Sequence, residues 1–106
     1  MSDYLPKVFE RFSRDYPEVM RAHDELALRT HEAGPLSDRE RRLVKLGIAV
    51  GGESEGAVRS HARRALAEGI EPDAVRHVAV LGISTAGYPA AMAAFEWMNE
   101  VLDRQD

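Results

Sequence analysis

The sequence GGESEGAVRSHARRALAEG, residues 51–69, decides how the rest of this chain is interpreted. A glycine pair opens the stretch, a helical pattern follows, and Gly69 stands where a left-handed residue often ends a helix. Apolar residues recur at the i, i+3, i+4 spacing of a buried stripe: Val58, Ala62, Ala65 and Leu66. His61 borders this stripe. We therefore predict a short helix, with any chemical site at its entrance.

Helical periodicity continues on both sides of this stretch. Apolar spacing predicts one helix up to Tyr16 and a second from Pro17, with Asp15 as its cap. The segment Ser37-Asp38-Arg39-Glu40 has the pattern of a capping box, in which serine and glutamate satisfy each other's backbone donors. Pro72 begins a further helix, and the last is predicted from about Pro89 to Arg104. We expect an all-α fold of about six helices in a single domain, residues 1–106.

Composition limits the possible functions. The chain has 106 residues, of which 44% are hydrophobic and 30% charged, as in ordinary folded domains. Its net charge of -4 argues against general attraction to nucleic acid or an anionic membrane. The chain contains no cysteine, which excludes disulfides, thiolate metal sites and dithiol redox chemistry within it. No secretory signal is predicted at the N-terminus, so we expect a cytoplasmic protein.

Two apolar segments suggest how the chain associates. The uncharged run from Val78 to Phe95 is interrupted by Gly82, Gly87 and Pro89, so two short helices are expected there rather than a membrane span. The helices around Leu46 and Leu81 are apolar on more than one side. Because a small single bundle needs less apolar surface than this, we predict burial between subunits.

Three segments carry a resemblance to a known family. They are SDRERRLVKLGIAVGG (37–52), VRSHARRALAEGIEPDAVRHV (58–78) and AGYPAAMAAFEWMNEVL (86–102). Their order and spacing resemble the carboxymuconolactone decarboxylase / alkylhydroperoxidase D-like family, most strongly over residues 36–102. The resemblance implies an alkylhydroperoxidase D-like orthogonal helical fold that assembles as a homotrimer or homohexamer.

The sequence departs from the peroxidase-like branch of that family. The positions of its C-x-x-C pair fall at Ser54 and Ala57, and the position of its relay glutamate falls at Arg42; only His61 is retained. A serine hydroxyl is not ionised near neutral pH and cannot cycle through a disulfide. Cysteine-dependent peroxidase activity is therefore not expected.

The decarboxylase branch does not need cysteines, and this sequence resembles its acidic, histidine-containing helix entrance. A histidine that titrates near neutrality suits the donation of a proton to a developing carbanion. Backbone amides at the helix entrance, with Arg59 or Arg42, could hold a small carboxylate ligand. The catalytic candidates are His61, Glu53 and Glu55. The substrate-binding candidates are Ser54, Arg59, His77 and Tyr88. The two glutamates conflict with this proposal, since they would repel an anion.

No metal or other cofactor is expected, since no H-x-x-x-H or E-x-x-H pair is present. Each candidate also has a structural interpretation: His61 as a packing histidine, the glutamates as partners of the helix dipole, and Ser54 as an N-cap. A basic cluster is most simply a solvated helix face paired with acidic neighbours: Arg39, Arg41, Arg42 and Lys45 with Asp38 and Glu40. Two functions remain open, a lyase-type acid-base catalyst using His61 and a non-catalytic oligomer that keeps the fold for assembly or small-molecule binding.

Overall fold

The computed structural model describes residues Lys7 to Gln105, which are helical nearly throughout and contain no strand. Six α-helices and a C-terminal 3-10 turn follow one another: α1 Lys7–Asp15, α2 Pro17–Glu32, α3 Asp38–Gly51, α4 Glu55–Ala67, α5 Pro72–Gly82, α6 Tyr88–Leu102 and the turn Asp103–Gln105. The prediction of an all-α fold with about six helices is confirmed. None of the described helices is both long and apolar enough to span a membrane.

Two compact units divide the chain, residues 1–35 and 36–106. The first contains α1 and α2, which pack against each other, and neither helix has a buried residue. Pro17 begins α2 as predicted, but Asp15 does not cap it. The α1 helix continues through Asp15, whose carboxylate pairs with Arg11, and Tyr16 takes the N-cap position. The single domain expected for residues 1–106 stays a prediction.

The second unit, α3 to α6, holds the buried core. The α6 helix packs on α4 and α5, and α3 packs on the same two helices. The largest fully buried side chains of this unit are Leu46, Met98, Val50, Val58 and Val75. A Cβ on Gly82 would lie 3.2 Å from Val50 Cγ1, so glycine at this position permits the close approach of α5 to α3.

The helix ends follow the sequence signals closely. The Ser37 hydroxyl accepts a hydrogen bond from the Glu40 amide at 3.1 Å, and the Ser37 amide donates to Glu40 Oε1 at 2.8 Å, which completes the predicted capping box. Gly69 has φ +86°, and its amide donates to Leu66 O at 3.0 Å while the Ile70 amide donates to Ala65 O at 2.9 Å. This pair of bonds is a Schellman motif. The α6 helix begins one residue earlier than predicted and ends at Leu102.

Apolar surface remains exposed on this second unit. The α3 helix buries one face through Leu46, Ala49 and Val50, whereas Ile48 is 69% exposed. In α5, Leu81 is 56% exposed. Within one chain these helices are thus buried on one side only, and the predicted burial between subunits stays a prediction.

Candidate functional site

The entrance of α4 is a tight turn that follows α3 directly. The Gly52 amide donates to Ile48 O at 2.9 Å and the Ser54 amide to Ala49 O at 3.1 Å, which closes the end of α3. Glu53 between them has φ +52°, a left-handed conformation uncommon outside glycine. Ser54 occupies the N-cap position of α4, but its hydroxyl makes no capping hydrogen bond. The turn thus presents a serine whose hydroxyl is not used to begin the helix.

A surface cavity of about 350 Å³ lies beside this turn. Its lining comes from the second half of α3, the turn and the first half of α4: Lys45, Ile48, Ala49, Gly52, Ser54, Ala57 and His61. Most of these residues are apolar or small. Three polar side chains, those of Lys45, Ser54 and His61, supply its chemistry, and no carboxylate is among the lining residues.

Beside the cavity an ionic cluster around Arg42 joins α3 to α4. Arg42 is only 7% exposed and is the one buried charged side chain among the described residues. Its Nε donates to Glu68 Oε1 at 3.0 Å and its Nη2 to Glu68 Oε2 at 2.8 Å, a bidentate pair of the strong kind. Its Nη1 lies 2.8 Å from His61 Nδ1. The interpretation of Arg42 as part of a solvated face is therefore wrong.

The spacing of α3 explains why Arg42 is buried. Arg42 lies four residues before Leu46 and seven before Ala49, which places all three on one side of the helix. The other basic residues follow the predicted interpretation more closely: Arg41 pairs with Asp38, and Arg39 pairs with Glu71 rather than with a neighbour in sequence. Helical phase relative to Leu46 could have separated Arg42 from Arg41, but not from Arg39, which lies seven residues before Leu46 in the first turn of α3.

The contact with Arg42 determines the protonation of His61. A guanidinium has only N–H donors, so Nδ1 of the imidazole must accept and the ring proton must lie on Nε2. Burial, the largest cause, and the positive charges of Arg42, Arg64 and Lys45 together lower the pKa of His61 to about 4, against the opposing effect of Glu68. His61 is therefore neutral at pH 7. The histidine expected to titrate near neutrality, as a proton donor, instead presents a neutral Nε2–H.

Lys45 is a candidate that the sequence interpretation missed. It was assigned to a solvated face, yet it is partly buried and lines the cavity together with His61. Burial lowers the pKa of its ammonium group, and Arg42, Arg64 and Arg41 lower it further, while Glu68 raises it. A cation in an apolar cavity is a natural partner for a ligand carboxylate.

The residues predicted as one site lie in several places. His61 and Ser54 share the cavity, whereas Glu53 and Glu55 do not line it. Arg59 is about 200° from His61 around α4 and faces α6 instead. There it donates to Glu100 at 3.0 Å and 3.2 Å and also pairs with Glu55. Neither glutamate lines the cavity, so neither carboxylate would be in direct contact with an anionic ligand bound there.

His77 and Tyr88 lie away from the cavity of His61. Tyr88 is exposed at the first position of α6. His77 is exposed and lines a second groove of about 550 Å³ between α3 and α5, whose other polar side chains are Arg39 and Thr85. Whether any predicted site residue acts in catalysis or binding stays a prediction.

The fold and the cavity together define a class: an all-α protein with a histidine midway along a helix, facing a small cavity, and no cysteine beside it. Residues 17–100 match the sequence model of the carboxymuconolactone decarboxylase family, and the chain belongs to that family. The fold is similar to the crystal structure of apo-lpg0406, a carboxymuconolactone decarboxylase family protein from Legionella pneumophila. The TM-score is 0.76 at 19% sequence identity, over 90% of this chain and 88% of that one. No curated protein matches the sequence.

Proposed function

We propose that this carboxymuconolactone decarboxylase-like protein binds a small carboxylate or lactone in the cavity beside α4 and acts on it as a lyase-type catalyst, with His61 as a hydrogen-bond donor and Lys45 as the acid. One observation carries the proposal: Lys45, Ser54 and His61 line a single small cavity without a carboxylate. Its volume of about 350 Å³ lies at the lower end of the range of ligand sites, which is about 300–1,000 Å³.

The chemistry follows from the donors in the cavity. In a decarboxylation the bond to the departing carboxylate breaks, CO₂ leaves, and the electron pair passes into a conjugated carbonyl to form an enolate. Donors already directed at that oxygen lower the barrier, because they need not reorganise during the reaction. His61 Nε2–H and the Lys45 ammonium are such donors. A proton must then return to carbon, and Lys45, with its lowered pKa, is better suited to supply it than the neutral His61.

Arg42 and Arg59, suggested by the sequence as carboxylate binders, do not serve that role in this proposal. Arg42 is buried against Glu68 and His61, and Arg59 is paired with Glu55 and Glu100. Cysteine-dependent peroxidase activity is not proposed, since Ser54 and Ala57 line the cavity where a thiol pair would be needed.

The alternative is a non-catalytic, small-molecule-binding oligomer. The partial burial of His61 and its bond to Arg42 favour it, since a histidine held in this way also joins α3 to α4. Both proposals use the same cavity, and they differ in whether bound ligand is turned over.

Ligand binding and turnover in matched variants test the proposal. The wild-type protein is titrated with small mono- and dicarboxylates and γ-lactone acids, and release of CO₂ is measured for each. We expect Lys45→Met to weaken carboxylate binding at least about tenfold, as loss of a charge-assisted bond implies. Lys7→Met is the matched control, since it removes the same charge from an exposed position in α1 and should leave affinity unchanged.

His61→Gln separates the two functions. If His61 is catalytic, this variant should bind carboxylate but release CO₂ far more slowly. Binding without CO₂ release by the wild-type protein would favour the non-catalytic alternative, and an absence of carboxylate and lactone binding would refute the proposed catalyst. Organic hydroperoxides with a dithiol reductant serve as a negative control. We expect the protein to consume them no faster than buffer alone.

A further inference from the structure

We propose that Arg42 is a positioning residue that holds His61 in the Nε2–H tautomer, so that the cavity meets its ligand with a hydrogen-bond donor. The ligand group placed against His61 is then an acceptor oxygen, of a carboxylate or a carbonyl. The statement about the ligand rests on the proposed function, whereas the statement about the tautomer rests on the structure of the cluster alone.

The guanidinium of Arg42 is fixed before it reaches His61. Glu68 accepts from Nε and Nη2 at 3.0 Å and 2.8 Å, which sets the plane of the group and leaves Nη1 directed at the imidazole. Burial of Arg42 in the core-facing side of α3 restricts its alternative rotamers. Glu68 lies seven residues after His61, two turns along the same side of α4, so one helix supplies both partners of the arginine.

A fixed tautomer decides what the histidine can do. With its Nδ1 lone pair directed at Arg42, the neutral ring has no second lone pair to accept a proton from a ligand. A carboxylate in place of Arg42 would have the opposite effect, because it would accept the Nδ1–H and leave the Nε2 lone pair available as a base. Residue 42 thus determines whether the histidine of this cavity is a donor or a base.

The tautomer can be measured directly by long-range ¹H–¹⁵N correlation of the histidine rings at pH 7. In the wild-type protein we expect His61 Nδ1 to resonate as an unprotonated nitrogen and Nε2 as a protonated one. In Arg42→Met, which keeps an unbranched apolar side chain but removes the donors, we expect averaged shifts of two exchanging tautomers. Arg42→Lys, which retains a donor, should restore part of the wild-type preference.

Arg64→Met is the matched control. Arg64 also lowers the pKa of His61 through its charge, but no bond from it to the ring is found. Its removal should leave the tautomer unchanged. An Nδ1–H ring in the wild-type protein would overturn the proposal, and so would an Nε2–H preference that survives intact in a folded Arg42→Met. If Arg42→Met does not fold, the wild-type spectrum and Arg42→Lys decide. An Nε2–H preference that is weaker in folded Arg42→Lys than in the wild-type protein would support the proposal, and an Nδ1–H ring in either protein would overturn it.

Acetate and ethanol, added separately, test the ligand group. We expect acetate to shift the His61 Nε2–H resonance and ethanol at the same concentration to leave it nearly unchanged. A wild-type ring that is Nε2–H but does not respond to acetate or to the carboxylate panel would refute the proposed function while leaving the positioning role of Arg42 intact.

Discussion

At the scale of single residues, the environment of His61 explains its chemistry. The ring is partly buried, accepts from Arg42, and lies near two further cations, Arg64 and Lys45, whereas Glu68 is the opposing anion. Each of these cations disfavours a second positive charge on the imidazole. The residue is therefore a neutral donor across the physiological pH range, not a switch within it.

This environment predicts a pH dependence of stability. The folded pKa of His61 is about 4, whereas its ordinary value is 6.5, so between these values the unfolded chain binds the extra proton. Stability should be complete above about pH 6.5 and fall as the pH is lowered towards 4. One pKa unit corresponds to about 1.4 kcal/mol, and solvent around a partly exposed ring reduces the total to about 1–2 kcal/mol.

The measurement is urea unfolding of the wild-type protein and His61→Gln between pH 4.5 and 6.5. The lower limit is chosen to avoid protonation of carboxylates in the folded protein. Hydrogen bonds lower the pKa of Glu40, through Ser37, and the pKa of Glu71, through Arg39. As the pH is lowered, the free energy of unfolding should fall more steeply in the wild-type protein than in the variant. Equal slopes would show that His61 is not desolvated in this way.

At the scale of elements, the ends of α4 differ in how they depend on glycine. Gly69 after the helix has φ +86°, in the left-handed region, and its amide and that of Ile70 close the Schellman motif. Gly56 lies within the first turn of the helix, and a Cβ there would meet no other atom within 4 Å. One glycine is therefore needed for conformation, and the other only weakens the helix.

Alanine substitutions at these two sites should have opposite effects. We expect Gly69→Ala to lower the free energy of unfolding by about 1–2 kcal/mol, since alanine disfavours the left-handed region. We expect Gly56→Ala to raise it by about 0.5–1 kcal/mol through helix propensity. Urea unfolding of both variants provides the comparison, and each serves as the control for the other. A loss of stability in Gly56→Ala would contradict the prediction.

At the scale of the whole molecule, exposed apolar side chains remain to be covered. In the second unit, large apolar residues are at least 40% exposed on α3, on α5 and directly after α5: Val44, Ile48, Val80, Leu81 and Ile83. Helices α3 and α5 pack against each other. Exposed apolar side chains on both helices are typical of a surface that is covered in an assembly. With the family resemblance, this surface supports a homotrimer or homohexamer as a prediction.

Light scattering at micromolar concentration should report three or six times the 11.8 kDa of one chain. Val80 is 51% exposed and lines neither of the two cavities, so it is a suitable position for a test. Val80→Glu should reduce the measured mass by adding a charge to the contact, whereas Val80→Thr, of similar shape, should reduce it less. A wild-type monomer would contradict the prediction.

The sequence alone determined what depends on neighbours along the chain. The capping box at Ser37, the left-handed Gly69 and the prolines at helix starts act within a few residues, so their patterns predicted the helix ends closely. The order of such signals also indicated the family. Ser54 and His61, both predicted as site residues, line one cavity, and their roles stay predictions.

Only the tertiary structure decided how the side chains of different helices combine. Arg42 looked like one of several surface cations, yet it is buried, because α4 supplies Glu68 and His61 across from it. Arg59, predicted to hold a ligand, is instead paired with Glu100 of α6. Periodicity within one helix shows which face is apolar, but it does not show which residue of another helix will lie opposite. The proton position on His61 depends on such a partner, 19 residues away in sequence, and therefore on the packing of α3 against α4.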